Sequence, residues 1–191
     1  MGGGYVSNAG VFLVDFIFGL YIFFVLLRLL LQLVRADFYN PLCQTIVTVT
    51  NPPLRPMRRY IPSLGGVDSS CIVLLLVLQV TNTALIALIV GASPAVGGLI
   101  VVAIAELLNK VVWTFLGAVL IGVVISWVAQ GAYNPIIGVI DSLTRPLLEP
   151  ARRIMPPFGA LDLSPILVIL ALQLARMLLV TPLRDLGLSM L

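Results

Sequence analysis

The stretches PMRRYIPSLGG (Pro56–Gly66) and PARRIMPPFGA (Pro150–Ala160) lie 94 residues apart and share two prolines, two arginines and a glycine at the same spacing. When the sequence is compared with itself at this offset, Tyr39–Gln79 aligns with Tyr133–Gln173 without a gap. A repeat of this length indicates a duplicated structural unit. We therefore divide the chain into two repeats, residues 1–94 and residues 95–191.

The composition places both repeats in a membrane. Of the 191 residues, 60% are apolar and 10% are charged, and the mean hydropathy is +1.14, which is outside the range of soluble domains. Four stretches approach the roughly 20 apolar residues that a membrane-spanning helix needs: Val11–Val34, Cys71–Val90, about Val111–Val128 and about Pro165–Pro182. The predicted fold class is an all-α membrane protein with four transmembrane helices in two tandem helix–elbow–helix repeats.

Each elbow is predicted to contain a short interfacial helix followed by a loop rich in proline and arginine. Asn-Pro at 40–41 and again at 134–135 supplies an N-cap and a proline at the first helical position. The apolar stripe that follows is too short to span a membrane and suits a helix in the interface.

The prolines after this helix predict extended backbone, because proline disrupts a helix interior. They are Pro52, Pro53, Pro56 and Pro62 in the first repeat and Pro146, Pro150, Pro156 and Pro157 in the second. Gly65 and Gly159 are predicted to turn the chain back. Asp68 and Asp162 are predicted to cap the next spanning helix.

Arginines concentrate in the two elbows, whereas the connection 91–98 has no charge. The positive-inside rule therefore predicts that both elbows are cytoplasmic and that both termini lie outside. The elbow arginines are candidates for contact with anionic lipid or for docking a partner protein. This candidate site consists of Arg55, Arg58, Arg59, Arg145, Arg152 and Arg153.

Polar side chains within the predicted spans form a second candidate site, because such groups are expensive inside a membrane. Gln79 and Asn82 form a stripe on one span, and Gln173 and Arg176 form the equivalent stripe on another. One interpretation is hydrogen bonding that holds the two halves together. The alternative is a polar path between them, with Arg176 as its charged element.

The other charges in the spans have simpler local interpretations. Arg176 could be balanced by Asp15 or by Glu106, although the i, i+4 spacing of Glu106 and Lys110 favours a local pair for that carboxylate. Arg28 and Lys110 are expected to extend to the membrane surface. Ala118, Gly122 and Ser126 form a ladder of small residues that predicts close helix approach on the third span. The apolar stretch 95–105 before this span leaves a tilted helix, a kink and a re-entrant segment open.

Several classes of function are excluded or disfavoured. The chain has no histidine, which removes imidazole-ligated haem and imidazole-dependent hydrolysis. Cys43 and Cys71 form no CxxC motif and suit ordinary packing positions. The arginines lie beside spans rather than along a polar helix, which disfavours nucleic-acid binding. We predict a protein without enzyme activity and without a metal or other cofactor.

Three features together resemble the bacterial YggT family of integral membrane proteins. They are Asp37-Phe-Tyr-Asn-Pro41, the duplicated elbow from Pro52 to Asp68 and from Pro146 to Asp162, and Ser126-Trp-Val-Ala-Gln-Gly131. The resemblance covers both repeats. It implies an inner-membrane protein without an assigned biochemical activity, associated with tolerance of osmotic stress in bacteria. Plastid relatives of the family are associated with membrane organisation or with assembly of a cytochrome complex. The resemblance supplies no catalytic residues.

Two hypotheses about function follow from these features. The first is a scaffold, assembly or membrane-organisation factor whose elbows bind anionic lipid or a membrane-protein partner. The second is a small channel or transporter that forms its path as a homo-oligomer.

Overall fold

The computed structural model describes residues 3–63, 65–128, 134–155 and 162–191. These residues form seven α-helices and one π-helical turn. The α-helices are α1 (Gly3–Leu33), α2 (Pro41–Met57), α3 (Ser69–Val90), α4 (Val96–Val128), α5 (Pro135–Ile154), α6 (Ser164–Ala175) and α7 (Thr181–Ser189), with the π-helical turn at Arg176–Val180.

Four helical segments in this part of the chain are long and apolar enough to cross a membrane, which confirms the predicted fold class. They are Gly4–Leu33, Ser69–Val90, Val96–Trp127 and Ser164–Ser189. In the first repeat α1 packs along α3, and in the second α4 packs along α6, the π-helical turn and α7. The repeats meet mainly where α3 packs against α4, and α2 also contacts α5. The division at residue 94 stays a prediction.

The two elbow helices differ from the prediction, because they continue through their prolines. Helix α2 contains Pro52, Pro53 and Pro56, and α5 contains Pro146 and Pro150. A proline deprives the carbonyl four residues earlier of its N–H donor, and residues i and i−4 lie on the same helix face. All of these prolines except the half-buried Pro53 are exposed. The unpaired carbonyls therefore lie mainly on the outer face, where water or lipid headgroups can hydrogen-bond them.

The predicted starts of the elbow helices and the predicted turn at Gly65 are confirmed. Asn40 Oδ1 accepts a hydrogen bond from Leu42 N at 2.9 Å, and Asn134 Oδ1 accepts one from Ile136 N at 2.9 Å. Gly65 has φ 61°, a left-handed conformation that glycine adopts at little cost. Its counterpart Gly159 lies outside the described residues, as do Pro156 and Pro157.

The third span resolves a question that the sequence left open, and the fourth span contains an irregularity that the sequence did not predict. Residues 96–128 form one continuous helix of 33 residues, so the apolar stretch 95–105 extends the span and is not re-entrant. The fourth span is interrupted by the π-helical turn, where Thr181 N bonds Arg176 O. Pro182 lies two residues beyond the end of this turn. A widened turn is a known way to accommodate a proline, which cannot donate to the preceding turn.

Helices α4 and α7 approach each other at two glycines, Gly98 and Gly187. A Cβ atom placed on Gly187 would lie 2.8 Å from Val102 N and 2.8 Å from Val102 Cγ2. A Cβ atom on Gly98 would lie 3.0 Å from Gly187 O. Because the obstructing atoms include backbone, no side-chain rotation relieves these contacts. The close packing of α7 therefore requires glycine at both positions.

We expect Gly187→Ala to force α7 away from α4 and to lower stability by about 1–3 kcal/mol, the usual cost of overpacking. Thermal unfolding of the purified protein in detergent measures this loss. The matched control is Gly117→Ala on α4, where an added Cβ meets no atom within 4 Å. Equal melting temperatures for Gly187→Ala and the wild type would contradict the packing described here.

Candidate functional site

An ion pair closes the first elbow. Arg58, at the end of α2, bonds the carboxylate of Asp68 through two nitrogens, with Nε at 2.9 Å from Oδ2. The same carboxylate caps α3 by accepting from Ser70 N at 3.2 Å. Burial by itself raises the pKa of Asp68, but hydrogen bonds from Arg58 and Cys71 and the charge of Arg58 bring it below its ordinary value. Asp68 therefore stays ionised and ties the elbow helix to the next span.

The second elbow repeats this arrangement in a more exposed form. Arg152 Nη2 and Nε each lie 2.9 Å from Asp162 Oδ2, and Asp162 Oδ1 accepts from Ser164 N at 2.9 Å. The side chain of Asp162 is 33% exposed, against 8% for Asp68. The ten-residue spacing of Arg and Asp is identical in both repeats, so the sequence contains a signal for these pairs. The predicted roles of these residues, helix capping and lipid contact, do not include the ion pair.

We expect Asp68→Ala to destabilise the protein more than Asp162→Ala. A lost N-cap costs about 1 kcal/mol, and solvent screens the more exposed pair more strongly. Because the folded-state pKa of Asp68 is lowered, its stabilisation is complete above the ordinary pKa and is lost as pH falls through the folded-state value.

Thermal unfolding at neutral and acidic pH measures both effects. The difference between wild type and Asp68→Ala should shrink once the pH falls below about 4. Asp185→Ala is the control, because Asp185 is exposed and forms no ion pair with the described residues. A larger loss for Asp162→Ala than for Asp68→Ala would refute the ranking.

These ion pairs divide the six predicted elbow arginines into two groups. Arg58 and Arg152 are bound to their aspartates, and Arg145 pairs with Asp141 four residues earlier at 2.6 Å. Arg55, Arg59 and Arg153 are exposed and form no ion pair within the described part of the chain. The charge available to a ligand therefore comes from these last three residues.

Arg28 is buried, contrary to the prediction that it extends to the surface. Its side chain crosses from α1 to α2, where Nη1 lies 2.7 Å from Thr50 Oγ1, 3.0 Å from Asn51 Oδ1 and 3.2 Å from Val47 O. The relative exposure of Arg28 is 6%. The sequence repeat pairs Arg28 with Gly122, which lets Ile140 of α5 pack directly on α4, 3.4 Å from where a Cβ would lie. The two elbow helices are thus fixed by different means.

We expect Arg28→Met to loosen α2, because the variant removes the guanidinium that donates to Thr50, Asn51 and the Val47 carbonyl. The loss is on the order of 1–3 kcal/mol, and Arg28→Lys should retain part of the stability. Limited proteolysis of the elbow and thermal unfolding both report it. Arg35→Met, at an exposed position beyond α1, is the matched control. Unchanged protease resistance in Arg28→Met would show that the bonds do not hold the elbow.

The two predicted polar stripes do not meet. Helices α3 and α6 make no contact in the described structure, so Gln79 and Gln173 do not bond the two repeats together. Arg176 pairs with neither Asp15 nor Glu106. Its guanidinium lies over the ring of Trp113, 5.2 Å from the centroid, in a cation–π arrangement.

The two carboxylates predicted as possible partners for Arg176 contact other residues. Asp15 Oδ1 accepts a hydrogen bond from Asn82 Nδ2 at 3.2 Å. Glu106 pairs with Arg184 on α7 at 3.0 Å rather than with Lys110. The expected local pair of Glu106 and Lys110 is therefore wrong. The prediction considered only partners on the same helix. Because α7 packs along α4, Arg184 of α7 lies within ion-pair distance of Glu106.

Gln79 and Asn82 instead face a polar cleft at the end of the molecule opposite the elbows. The cleft lies between α1, α3, α4 and α7 and has a volume of about 810 Å³. Its polar lining consists of Asn8, Asp15, Gln79, Asn82, Thr83, Glu106, Lys110 and Arg184. Sequence analysis does not predict this cleft, because its residues come from both repeats and only helix packing brings them together.

The two cysteines are buried and free, as their isolated positions suggested. Burial raises the pKa of the Cys43 thiol, with a further contribution from the charge of Asp37. A thiol held in its neutral form is a poor nucleophile. Cys43 therefore adds no reactive group to the elbow.

Taken together, the fold and the sites define a multi-pass membrane protein made of two tandem repeats with basic elbows. Residues 7–89 and 101–183 each match the CCB3/YggT family, and the two segments are offset by 94 residues at both ends. The chain belongs to this family, as the resemblance of its elbows had indicated.

Relatives in other bacteria cover nearly the whole chain. An uncharacterised protein of Pseudomonas aeruginosa is 43% identical over 182 residues, which is 92% of this chain and 90% of that protein. A protein encoded in the proC 3' region of Vibrio alginolyticus is 38% identical over 90% of this chain and 93% of its own length. The YggT protein of Escherichia coli K12 is 34% identical over 89% of this chain and 88% of its own length. No solved structure matches.

Proposed function

We propose that this protein is a non-enzymatic scaffold or membrane-organisation factor of the bacterial inner membrane. In this proposal both elbows are cytoplasmic, since the arginines concentrate there. The elbows bind the anionic surface of the membrane, and a partner protein is the alternative ligand. The family resemblance adds tolerance of osmotic stress as the physiological setting.

The observation that carries the proposal is the division of the elbow arginines. One arginine of each adjacent pair closes the elbow with an aspartate, whereas Arg59 and Arg153 remain exposed beside it. Arg55 adds a third exposed charge on α2. Near an anionic leaflet each such charge contributes about 1 kcal/mol. A rigid elbow that presents unpaired guanidinium groups is suited to hold lipid headgroups.

An apolar groove supports lipid as the ligand. It lies between α1 and α4, has a volume of about 390 Å³ and is lined almost entirely by apolar atoms. Residues of both elbow helices, including Leu42, Ile46, Ile136 and Ile140, form part of its wall. Such a groove suits an acyl chain, because burial of apolar surface against an apolar lining is favourable.

A second candidate function, a small oligomeric channel or transporter, is favoured by the polar cleft. The cleft carries ionisable groups within membrane-spanning segments, which commonly mark solute pathways. Flux through liposomes that contain the purified protein separates this candidate from the scaffold.

We expect the triple variant Arg55→Gln, Arg59→Gln, Arg153→Gln to retain less phosphatidylglycerol after purification in mild detergent. The loss corresponds to at most about 3 kcal/mol if all three charges contact headgroups. Lipid mass spectrometry of the purified protein measures it. The control is the double variant Asp141→Asn, Arg145→Gln, which removes an exposed ion pair without changing the net charge.

Normal expression and melting temperature in both variants show that the fold is intact. Retention of phosphatidylglycerol equal to that of wild type would refute lipid binding by these arginines. If a co-purifying protein is lost instead, the elbow is a partner-docking site.

A further inference from the structure

Two buried amide side chains line the polar cleft with hydrogen-bonding capacity that the protein does not use. Gln79 is 2% exposed and Asn82 is 1% exposed, and both lie on the cleft wall formed by α3. Within the described structure, Gln79 Oε1 and Asn82 Oδ1 have no hydrogen-bond partner. An unpaired buried acceptor costs about 1–3 kcal/mol. A ligand with N–H donors would remove that cost.

Asp15 places a carboxylate beside these amides. It lies on α1, and its Oδ1 accepts from Asn82 Nδ2 at 3.2 Å. Gln79 Oε1 and Asn82 Oδ1 are buried, so ligand binding requires both amides to rotate and the Asn82–Asp15 bond to be exchanged for a bond to the ligand. The broad terminal torsion of an amide side chain allows this rotation. One carboxylate and two amide oxygens supply three acceptors, which matches the three donors of a primary ammonium group.

Lys110 provides the opposite charge on the α4 wall of the same cleft. Among the described residues neither Asp15 nor Lys110 takes part in an ion pair, whereas the other two charges of the cleft, Glu106 and Arg184, pair with each other. Ionisable groups within membrane spans are costly unless they are compensated. A ligand that carries both charges would compensate both residues at once.

We propose that the cleft binds a small zwitterion with a primary ammonium and a carboxylate, as in an amino acid. The ammonium donates to Asp15, Gln79 and Asn82, and the carboxylate accepts from Lys110. Val11, Phe12 and Ile86 line the cleft and contact the carbon chain between these groups. The volume of about 810 Å³ is within the range of small-molecule sites. This inference goes beyond the scaffold function and does not depend on it.

Calorimetric titration of the full-length protein in nanodiscs tests the proposal. The probes are unbranched ω-amino acids, from glycine to 6-aminohexanoate, because the span between Asp15 and Lys110 should select one length. We expect saturable binding that weakens about tenfold or more in Asp15→Asn and in Lys110→Met. The N-trimethylated form of the preferred compound should not bind, since it has no N–H donor.

Gln79→Met separates a binding role from a structural one. Met has a similar length but no acceptor, so we expect weaker binding together with unchanged or raised thermal stability. Thr81→Val is the matched control, because Thr81 is an exposed polar residue of α3 whose hydroxyl bonds only its own helix. Asp15→Asn keeps the size of the side chain, and thermal unfolding of each variant shows whether it is folded.

Three results would overturn the proposal. Absence of binding by every ω-amino acid is the first. The second is equally tight binding of the n-alkylamine of matching length together with no effect of Lys110→Met, which would leave no role for a carboxylate. The third is displacement of the heat signal by potassium or sodium chloride at matched ionic strength, which would identify an inorganic cation site. Since the assay measures binding to the cleft, its failure leaves the lipid experiment on the elbows unaffected.

Discussion

The ion pair between the end of each elbow helix and the start of the following span is the interaction on which the architecture depends. Arg58 pairs with Asp68, and Arg152 pairs with Asp162, at a separation of 10 residues in each case. Asp68 also caps the next spanning helix, and Asp162 accepts a hydrogen bond from the N–H of Ser164, the first residue of α6. One carboxylate therefore fixes where the elbow ends and where the span begins, so that α3 returns along α1 and the end of the chain returns along α4.

Differences between the repeats create the candidate sites. Arg28 anchors the first elbow helix with side-chain hydrogen bonds, whereas Gly122 allows the second to pack directly. At the opposite end, the sequence repeat pairs Asp15 with Asn109 and Asn82 with Arg176. The first repeat therefore holds a carboxylate and an amide against the cleft, and the second turns its cation onto Trp113. The duplication gives both repeats the same helix arrangement, and the different residues at equivalent positions give each repeat different polar contacts.

The two proposed binding regions lie at opposite ends of the molecule and differ in kind. The elbows present exposed guanidinium groups on helices held by ion pairs, which suits a charged surface larger than the protein. The cleft encloses buried amides and two unpaired opposite charges, which suits a small molecule. Helices α1 and α4 each extend from the elbow region to the cleft.

Local sequence determined the elements whose cause is local. The length and composition of the apolar stretches gave four spans, Asn-Pro gave the starts of α2 and α5, and Gly65 gave a left-handed turn. Tertiary structure decided what depends on neighbours distant in sequence. The prolines of α2 stay helical, Arg28 is buried, and Glu106 pairs with Arg184 rather than with Lys110. The physical reason is that the energy of a polar group near a membrane depends on the partners that helix packing brings within hydrogen-bonding distance, and spacing along one helix does not reveal those partners.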